Sequence, residues 1–343
     1  MRALAISDYG APLIEVDLPD PVPGPGDVVV RVDAAGICRS DVHYRSGIRP
    51  VPSLPLVPGH EVAGTVVAVG ERAVDRSIGD RVCVHYLVSC GTCPQCRRGA
   101  EQFCEVGEMI GLDRQGGYAE QIVIPARNAY SIPEGVGTGV AAIMMCSAAT
   151  ALHALRRGDT GPGSRVAVFG VGGLGVSAIL LAQVLGASTV YAVDVNPGKL
   201  QVAAGLGAEP VDGDDDAVAI LRDRGGVDVA LELVGSADVM RSALGSLAPS
   251  GRAVAVGITH REFGLDPYRD LVRREADIRG SADHLSSEIE ELLGLAAAGL
   301  LDLTDAITRR VPLEAEEVNA AMDRLEGFGD DIRVVIEPNL AQG

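Results

Sequence analysis

Residues 166–175 read VAVFGVGGLG: a β-branched run that breaks at Gly170, Gly172 and Gly175 and resumes as the apolar stretch VSAILLAQVL. The spacing G-x-G-x-x-G is weak evidence alone, but here it follows a strand-like run and opens a helix-like one. In that setting Gly170 makes the tight turn, Gly172 lets backbone approach a pyrophosphate, and Gly175 allows helix and strand to pack closely. The next β-branched run, STVYAVDV, contains Asp194, about 20 residues past the last glycine, where a dinucleotide fold places an acid on the ribose. A carboxylate there accepts from the ribose hydroxyls and repels a 2′-phosphate. No arginine directly follows Asp194, so NAD is expected over NADP. A glycine-rich turn with no ligand is the plain alternative, and the joint presence of strand, helix and Asp194 argues against it.

Outward from this unit, VDVALELVG (227–235) and GRAVAVGI (251–258) repeat the buried-strand pattern at intervals that leave room for crossover helices. The pattern predicts an α/β unit with a doubly wound parallel sheet. It also accounts for the charge-free run from Val166 to Val193, which is long enough to span a bilayer but reads as strand, turn, helix and strand. The first ~125 residues differ: short β-rich runs separated by Pro and Gly, such as LPDPVPGPGDVVVRV and GHEVAGTVVAVG, predict an irregular antiparallel or barrel-like domain. The expected division is a β-rich domain over 1–153, a dinucleotide domain over 154–288 and a return to the first domain over 289–343.

The length, 343 residues, suits two domains with cores of their own. A net charge of −18 disfavours nucleic acid and anionic membranes, which demand a basic face. The acidic loop VDGDDD (211–216) lacks the spacing of a calcium loop and reads as a solvated turn. Seven cysteines, odd in number and four of them bunched, look like metal ligands in a reducing cytoplasm rather than a secreted disulfide framework. The opening MRALAISDYG has no apolar core of a signal peptide, and none is expected.

The bunched four are Cys90, Cys93, Cys96 and Cys104 in SCGTCPQCRRGAEQFC (89–104). Four thiolates around one tetrahedral ion form a closed shell with no position left for substrate, so this site is expected to be structural. An iron–sulfur cluster is the competing reading of the spacing. A catalytic ion would need other ligands, and Cys38, His60 and Cys146 are the candidates, since two cysteines and a histidine leave zinc a fourth, open position. Taken singly, Cys146 reads equally as a small buried hydrophobe, as Cys83 does, and His60 as a satisfied turn histidine.

Taken together, GICRSDVH (36–43), PLVPGHEVAGTVVAVG (55–70), the four-cysteine lobe, GGYAE (116–120), CSAATALHAL (146–155), VAVFGVGGLG and IRVVIEP (332–338) resemble the zinc-dependent medium-chain alcohol dehydrogenases nearly end to end. The resemblance implies a GroES-like catalytic domain beside a Rossmann domain. It also implies a catalytic zinc on Cys38, His60 and Cys146, with Glu61 behind as a transient ligand, and a structural zinc on the four-cysteine lobe, two ions per chain. Asp41 would orient His60. Ser40 would take the substrate proton and pass it through the nicotinamide ribose to His43. Arg39 and Arg333 would neutralise the pyrophosphate, and Thr150 would lie near the nicotinamide. The implied reaction is reversible NAD-linked oxidation of a primary or secondary alcohol, in a cytoplasmic homo-oligomer, a tetramer rather than a dimer. Polyol enzymes of the family usually carry an acid where this chain has Cys146, a departure that counts against sorbitol-type substrates and leaves a polyol or larger cyclic alcohol as the alternative. A zinc-free quinone or enoyl reductase would have no use for the ligand set. A zinc ribbon in a nucleic-acid-binding protein is opposed by the charge.

Overall fold

Six of the β-branched runs and their neighbours form one all-parallel sheet. In the computed structural model, which describes residues 1–340, the strands lie in the order Glu209–Asp212, Thr189–Asp194, Arg165–Phe169, Val227–Glu232, Leu247–Ala255 and Asp277–Gly280. Numbered along the chain this is 3-2-1-4-5-6, the doubly wound arrangement, whose ligand crevice opens at the carboxyl ends of the strands where the order reverses. Arg165–Phe169 is central, with Val166 paired to Val190 on one side and Val229 on the other. A strand covered on both faces has no polar side to show, which is why its sequence runs without alternation. The helix Gly173–Val184 buries Val176, Ala178, Ile179, Leu181 and Ala182, so the charge-free run 166–193 is a buried strand–helix–strand.

The remainder of the described chain forms a second unit around a seven-stranded sheet. Its spine is the eleven-residue strand Asp27–Ile37. That strand pairs antiparallel with Glu61–Val69, Gln121–Pro125 and Arg333–Ile336, so three segments distant in sequence meet on it. Val28, Val30, Val32, Val62, Val66, Tyr118 and Ile124 fill the core beneath.

The two units are Met1–Cys146 with Leu285 onward, and Ser147–His284. The division thus falls earlier at both ends than the expected 153/154 and 288/289. The reason lies in one continuous helical run. Thr138–Ile143 packs on the strands Asp27–Ile37 and Glu61–Val69, a π-helical turn Met144–Ala148 follows, and Ala149–Arg157 packs on the helix Gly173–Val184 of the other unit's fold. No glycine or proline marks the change of allegiance. This run, Thr138–Arg157, is also long and apolar enough to cross a membrane, but nearly all of it is buried inside the protein.

Candidate metal centres and dinucleotide turn

The segment after the long central strand turns at Cys38 into the helix Arg39–Ser46. Asp41 makes that turn: its Oδ2 accepts from the Cys38 backbone N–H at 2.9 Å, closing the helix N-terminus. The same oxygen lies 2.9 Å from the Tyr118 hydroxyl. The other, Oδ1, accepts from Gly59 N–H at 3.2 Å and lies 3.3 Å from His60 Nδ1. One fully buried carboxylate therefore fixes the backbone of one candidate ligand and the ring of another. Because Nδ1 faces Asp41, Nε2 is left to ligate, the arrangement by which a carboxylate sets the tautomer of a metal-binding histidine.

Cys38, His60, Glu61 and Cys146 converge, one ligand atom from each lying within 4.8 Å of all the others, and all four residues are buried. Cys146 arrives on the π-helical turn Met144–Ala148, an irregularity that re-aims a side chain within a helix and recurs at functional sites. Protonation states follow from the crowding. A hydrogen bond from Cys146, against the opposing effect of burial, and the nearby His60 imidazole hold the Cys38 thiol well below its ordinary value. Burial opposes protonation of His60, yet Asp41 and Cys38 raise its pKa to about 10. Thiolate and imidazolium are the charges that a cation would meet and, for the imidazolium, displace. The donor set suits zinc. Glu61 adds a second sign: its Oε2 is ion-paired to Arg333, while Oε1 is buried with no hydrogen-bond partner among the described residues. Gly36 makes room for this pair, since a Cβ there would collide with Glu61 Oε2.

On the helix Arg39–Ser46, Ser40 and His43 are half-buried one turn apart, the spacing that puts two side chains on one face. His43 Nδ1 has no hydrogen-bond partner among the described residues. Burial, and then Arg39, push the His43 pKa below its ordinary value, so the ring is neutral at pH 7. Arg39 stacks 3.9 Å over the Phe328 ring and donates from Nη1 to Leu325 O at 3.0 Å. Arg333, expected at the pyrophosphate, is 5% exposed and turned onto Glu61, because a buried guanidinium needs an opposite charge. Thr150 stands half-buried in the first turn of the helix Ala149–Arg157.

The four-cysteine lobe is equally specific. Cys90 and Cys96 sulfurs lie 3.9 Å apart, Cys93 and Cys96 3.5 Å, and Cys93 and Cys104 3.9 Å. Tetrahedral zinc with Zn–S bonds of about 2.3 Å places its sulfurs about 3.8 Å apart, so the lobe fits one ion. Backbone N–H groups of Cys93, Thr92 and Cys96 point at the sulfurs. The Thr92 hydroxyl and the backbone N–H groups of Thr92 and Cys93 draw the Cys90 thiol down to about 5. Glu101, inside the lobe, accepts from both the backbone N–H and the hydroxyl of Ser286 at 2.7 Å, tying the lobe to the start of the helix Ser286–Ala297.

In the parallel-sheet unit, Gly170 has φ +100°, a conformation side chains avoid, and a Cβ on Gly175 would strike Gly170 O. A Cβ on Gly172 would meet nothing within 4 Å. That open space faces the uncapped start of the helix Gly173–Val184, as a pyrophosphate cradle requires. Asp194 closes the crevice, its Oδ2 accepting from Val171 N–H at 2.7 Å and its Oδ1 from Asn196 N–H at 2.9 Å.

Sequence reasoning gave Tyr118 and Gly36 no role. Both sit in the motifs GGYAE and GICRSDVH, but their tasks appear only when Glu61–Val69, Gln121–Pro125 and Arg333–Ile336 are laid beside the strand Asp27–Ile37.

 The Tyr118 hydroxyl is 82 residues from Gly36 and 77 from Asp41 in sequence, yet touches both.

Comparison with known proteins agrees with this geometry. Residues 24–134 match the family model for the alcohol dehydrogenase GroES-like domain, and residues 173–298 match that for zinc-binding dehydrogenases. An alcohol dehydrogenase of Moraxella sp. (strain TAE123) is 34% identical over 98% of this chain and 99% of its own. An NAD-dependent alcohol dehydrogenase of Sulfolobus acidocaldarius is 32% identical over 95% of this chain and 96% of its own. A solved zinc-binding dehydrogenase of Sinorhizobium meliloti 1021, bound to NADP, superposes with a TM-score of 0.89 at 30% identity, covering 98% of this chain and 99% of that one. Since relatives at 34% and 32% identity match this chain nearly end to end and the two family models cover most of residues 24–298, the chain belongs to the zinc-dependent medium-chain dehydrogenase family.

Proposed function

We propose that the protein catalyses reversible NAD-linked oxidation of a primary or secondary alcohol to an aldehyde or ketone, with one catalytic and one structural zinc per chain. The observation that carries this reading is the buried convergence of Cys38, His60, Glu61 and Cys146 beside a helix that presents Ser40 and His43. When bound, zinc supplies Lewis-acid polarisation of a substrate oxygen and the nicotinamide supplies a hydride acceptor. The chain's own residues do the rest. Asp41 holds His60 as a ligand, and the Glu61–Arg333 pair keeps a spare carboxylate behind the ligands. The Ser40 hydroxyl accepts the proton that the substrate hydroxyl loses, and neutral His43 receives it in turn. A cysteine at 146, rather than an acid, favours simple alcohols over polyols.

NAD is preferred because Asp194, already held by two backbone N–H groups, presents its remaining lone pairs as acceptors and its charge as a barrier to a 2′-phosphate. Seven free thiols support a reducing, cytoplasmic setting, and a homotetrameric assembly is part of the same proposal. The test is an NAD-coupled absorbance screen of primary, secondary, cyclic and aromatic alcohols and the matching carbonyls. Zinc-dependent turnover on at least one class is expected. Zinc-loaded protein that binds NADH and turns over none of them would defeat the reading.

A further inference from the structure

Five arginines line one cavity of about 650 Å³ in the parallel-sheet unit: Arg222, Arg241, Arg269, Arg273 and Arg274, with Asp270 as the sole carboxylate among them. The chain as a whole is strongly acidic, with 29 basic residues against 47 acidic ones, so this concentration runs against the composition. The walls are the helices Ala217–Asp223 and Ala237–Gly245 and the segment Pro267–Arg274.

The arginines fall into two pairs and a single. Arg241 and Arg269 share Asp270, at 3.1 and 3.4 Å. Arg222 and Arg274 form no ion pair with a carboxylate among the described residues. Arg222 donates to Gly245 O at 2.7 Å, and Arg274 donates to Leu244 O at 3.4 Å and to Leu247 O. These bonds close the carboxyl end of the helix Ala237–Gly245 and use only part of each guanidinium's five N–H groups. Arg273 has no hydrogen bond or ion pair among the described residues, and it is exposed. Burial, and then the like charge of Arg222, push the Arg274 pKa down, with Asp270 only partly offsetting them, so positive charge outweighs negative on this part of the wall.

Three guanidinium groups without a carboxylate match an anion of more than one negative charge, and planar N–H forks match phosphoryl oxygens in pairs. The pair Arg241 and Arg269, half neutralised by Asp270, can take a further oxygen or a second phosphoryl group. The volume is that of a small-molecule site and exceeds what a lone phosphate fills. A nucleic acid is opposed by the charge of the remaining surface. We propose that this cavity binds a small diphosphate-bearing ligand, distinct from the dinucleotide at Gly170–Gly175.

The experiment is calorimetric titration of inorganic pyrophosphate, with orthophosphate as a second arm, into the zinc-loaded full chain saturated with NADH so that the dinucleotide turn is filled. Zinc content is measured before and after. One pyrophosphate per chain is expected, bound at least tenfold more tightly than orthophosphate and weakening steeply with added salt. Arg273→Gln removes a side chain with no internal partner, so the melting temperature should hold while affinity falls about tenfold, one exposed charge-assisted hydrogen bond's worth. Arg222→Gln should weaken binding further. No binding to the wild-type protein, as when an acidic segment of a second copy fills the cavity, would overturn the proposal. So would equal affinity in wild type and Arg273→Gln, or binding that NADH abolishes.

Discussion

Replacing Asp41 with asparagine keeps the volume of a fully buried side chain and exchanges one oxygen for an NH2. Four groups converge on the native carboxylate: the backbone N–H of Cys38 and the Tyr118 hydroxyl on one oxygen, Gly59 N–H and His60 Nδ1 on the other. Whichever way the amide turns, its NH2 meets a fixed backbone donor, Cys38 on one side or Gly59 on the other. One buried N–H is then unsatisfied, costing about 1–3 kcal/mol, and the surviving bonds lose their charge assistance. A total destabilisation of about 3–5 kcal/mol follows, the range seen when a buried charged network loses one member. Zinc affinity at the Cys38 cluster should fall about 10- to 100-fold, as it does when the carboxylate behind a metal-binding histidine is removed. The assay is competition for zinc with a chromophoric chelator, alongside thermal unfolding of the metal-loaded protein. Tyr118→Phe removes a single donor and should cost about 1 kcal/mol with only a small change in zinc affinity. An Asp41→Asn protein with wild-type zinc affinity and melting temperature would refute the reasoning.

The two metal sites should differ in lability: a mild chelator should abolish activity on removing about one zinc per chain, with the four-cysteine ion retained, and elemental analysis during the titration checks this. Cys93→Ser, by contrast, should lower thermal stability; a well-folded Cys93→Ser protein impaired only in the chemical step would exchange the two labels. Asp194→Gly should reduce kcat/KM for NAD about tenfold to a hundredfold and narrow the preference over NADP; steady-state kinetics with both cofactors decide it, and a wild type using both equally well would show that Asp194 does not select. Stability should also depend on His85, whose pKa burial pushes down to about 4. Below the ordinary value near 6.5 the unfolded chain takes up a proton that the folded chain refuses until about pH 4, so stability should be full above that range and fall by about 3 kcal/mol across it as pH drops. His85→Gln should flatten this part of the denaturant-derived pH profile.

The features legible in the sequence are those whose requirements are local. A turn that needs φ +100° at Gly170, or four sulfurs gathered within one lobe, is written in adjacent residues. Composition therefore carries it. The features that escaped depend on partners far along the chain. Nothing near Arg333 announces that it will meet Glu61, 272 residues away, and nothing near Arg39 announces Phe328 beneath its guanidinium. The unit boundary escaped for the opposite reason: at Cys146 the helix continues through a π-turn, and a break without a change of composition leaves no mark.

The discontinuity of the metal-ligand unit has a consequence for biosynthesis. Ser147–His284 is contiguous, so a nascent chain holds every strand of the parallel sheet as soon as that segment leaves the ribosome. The other unit must wait. Until Arg333–Ile336 emerges, the strand Asp27–Ile37 lacks its neighbour near Gly36, and Glu61 lacks its counter-ion. An unpaired strand edge and a buried uncompensated carboxylate are states a growing chain avoids by staying open. Translation order therefore makes the first-synthesised residues, Cys38 and His60 among them, the last to reach their final surroundings, so a metal bound there, as proposed above, would be loaded late, after translation.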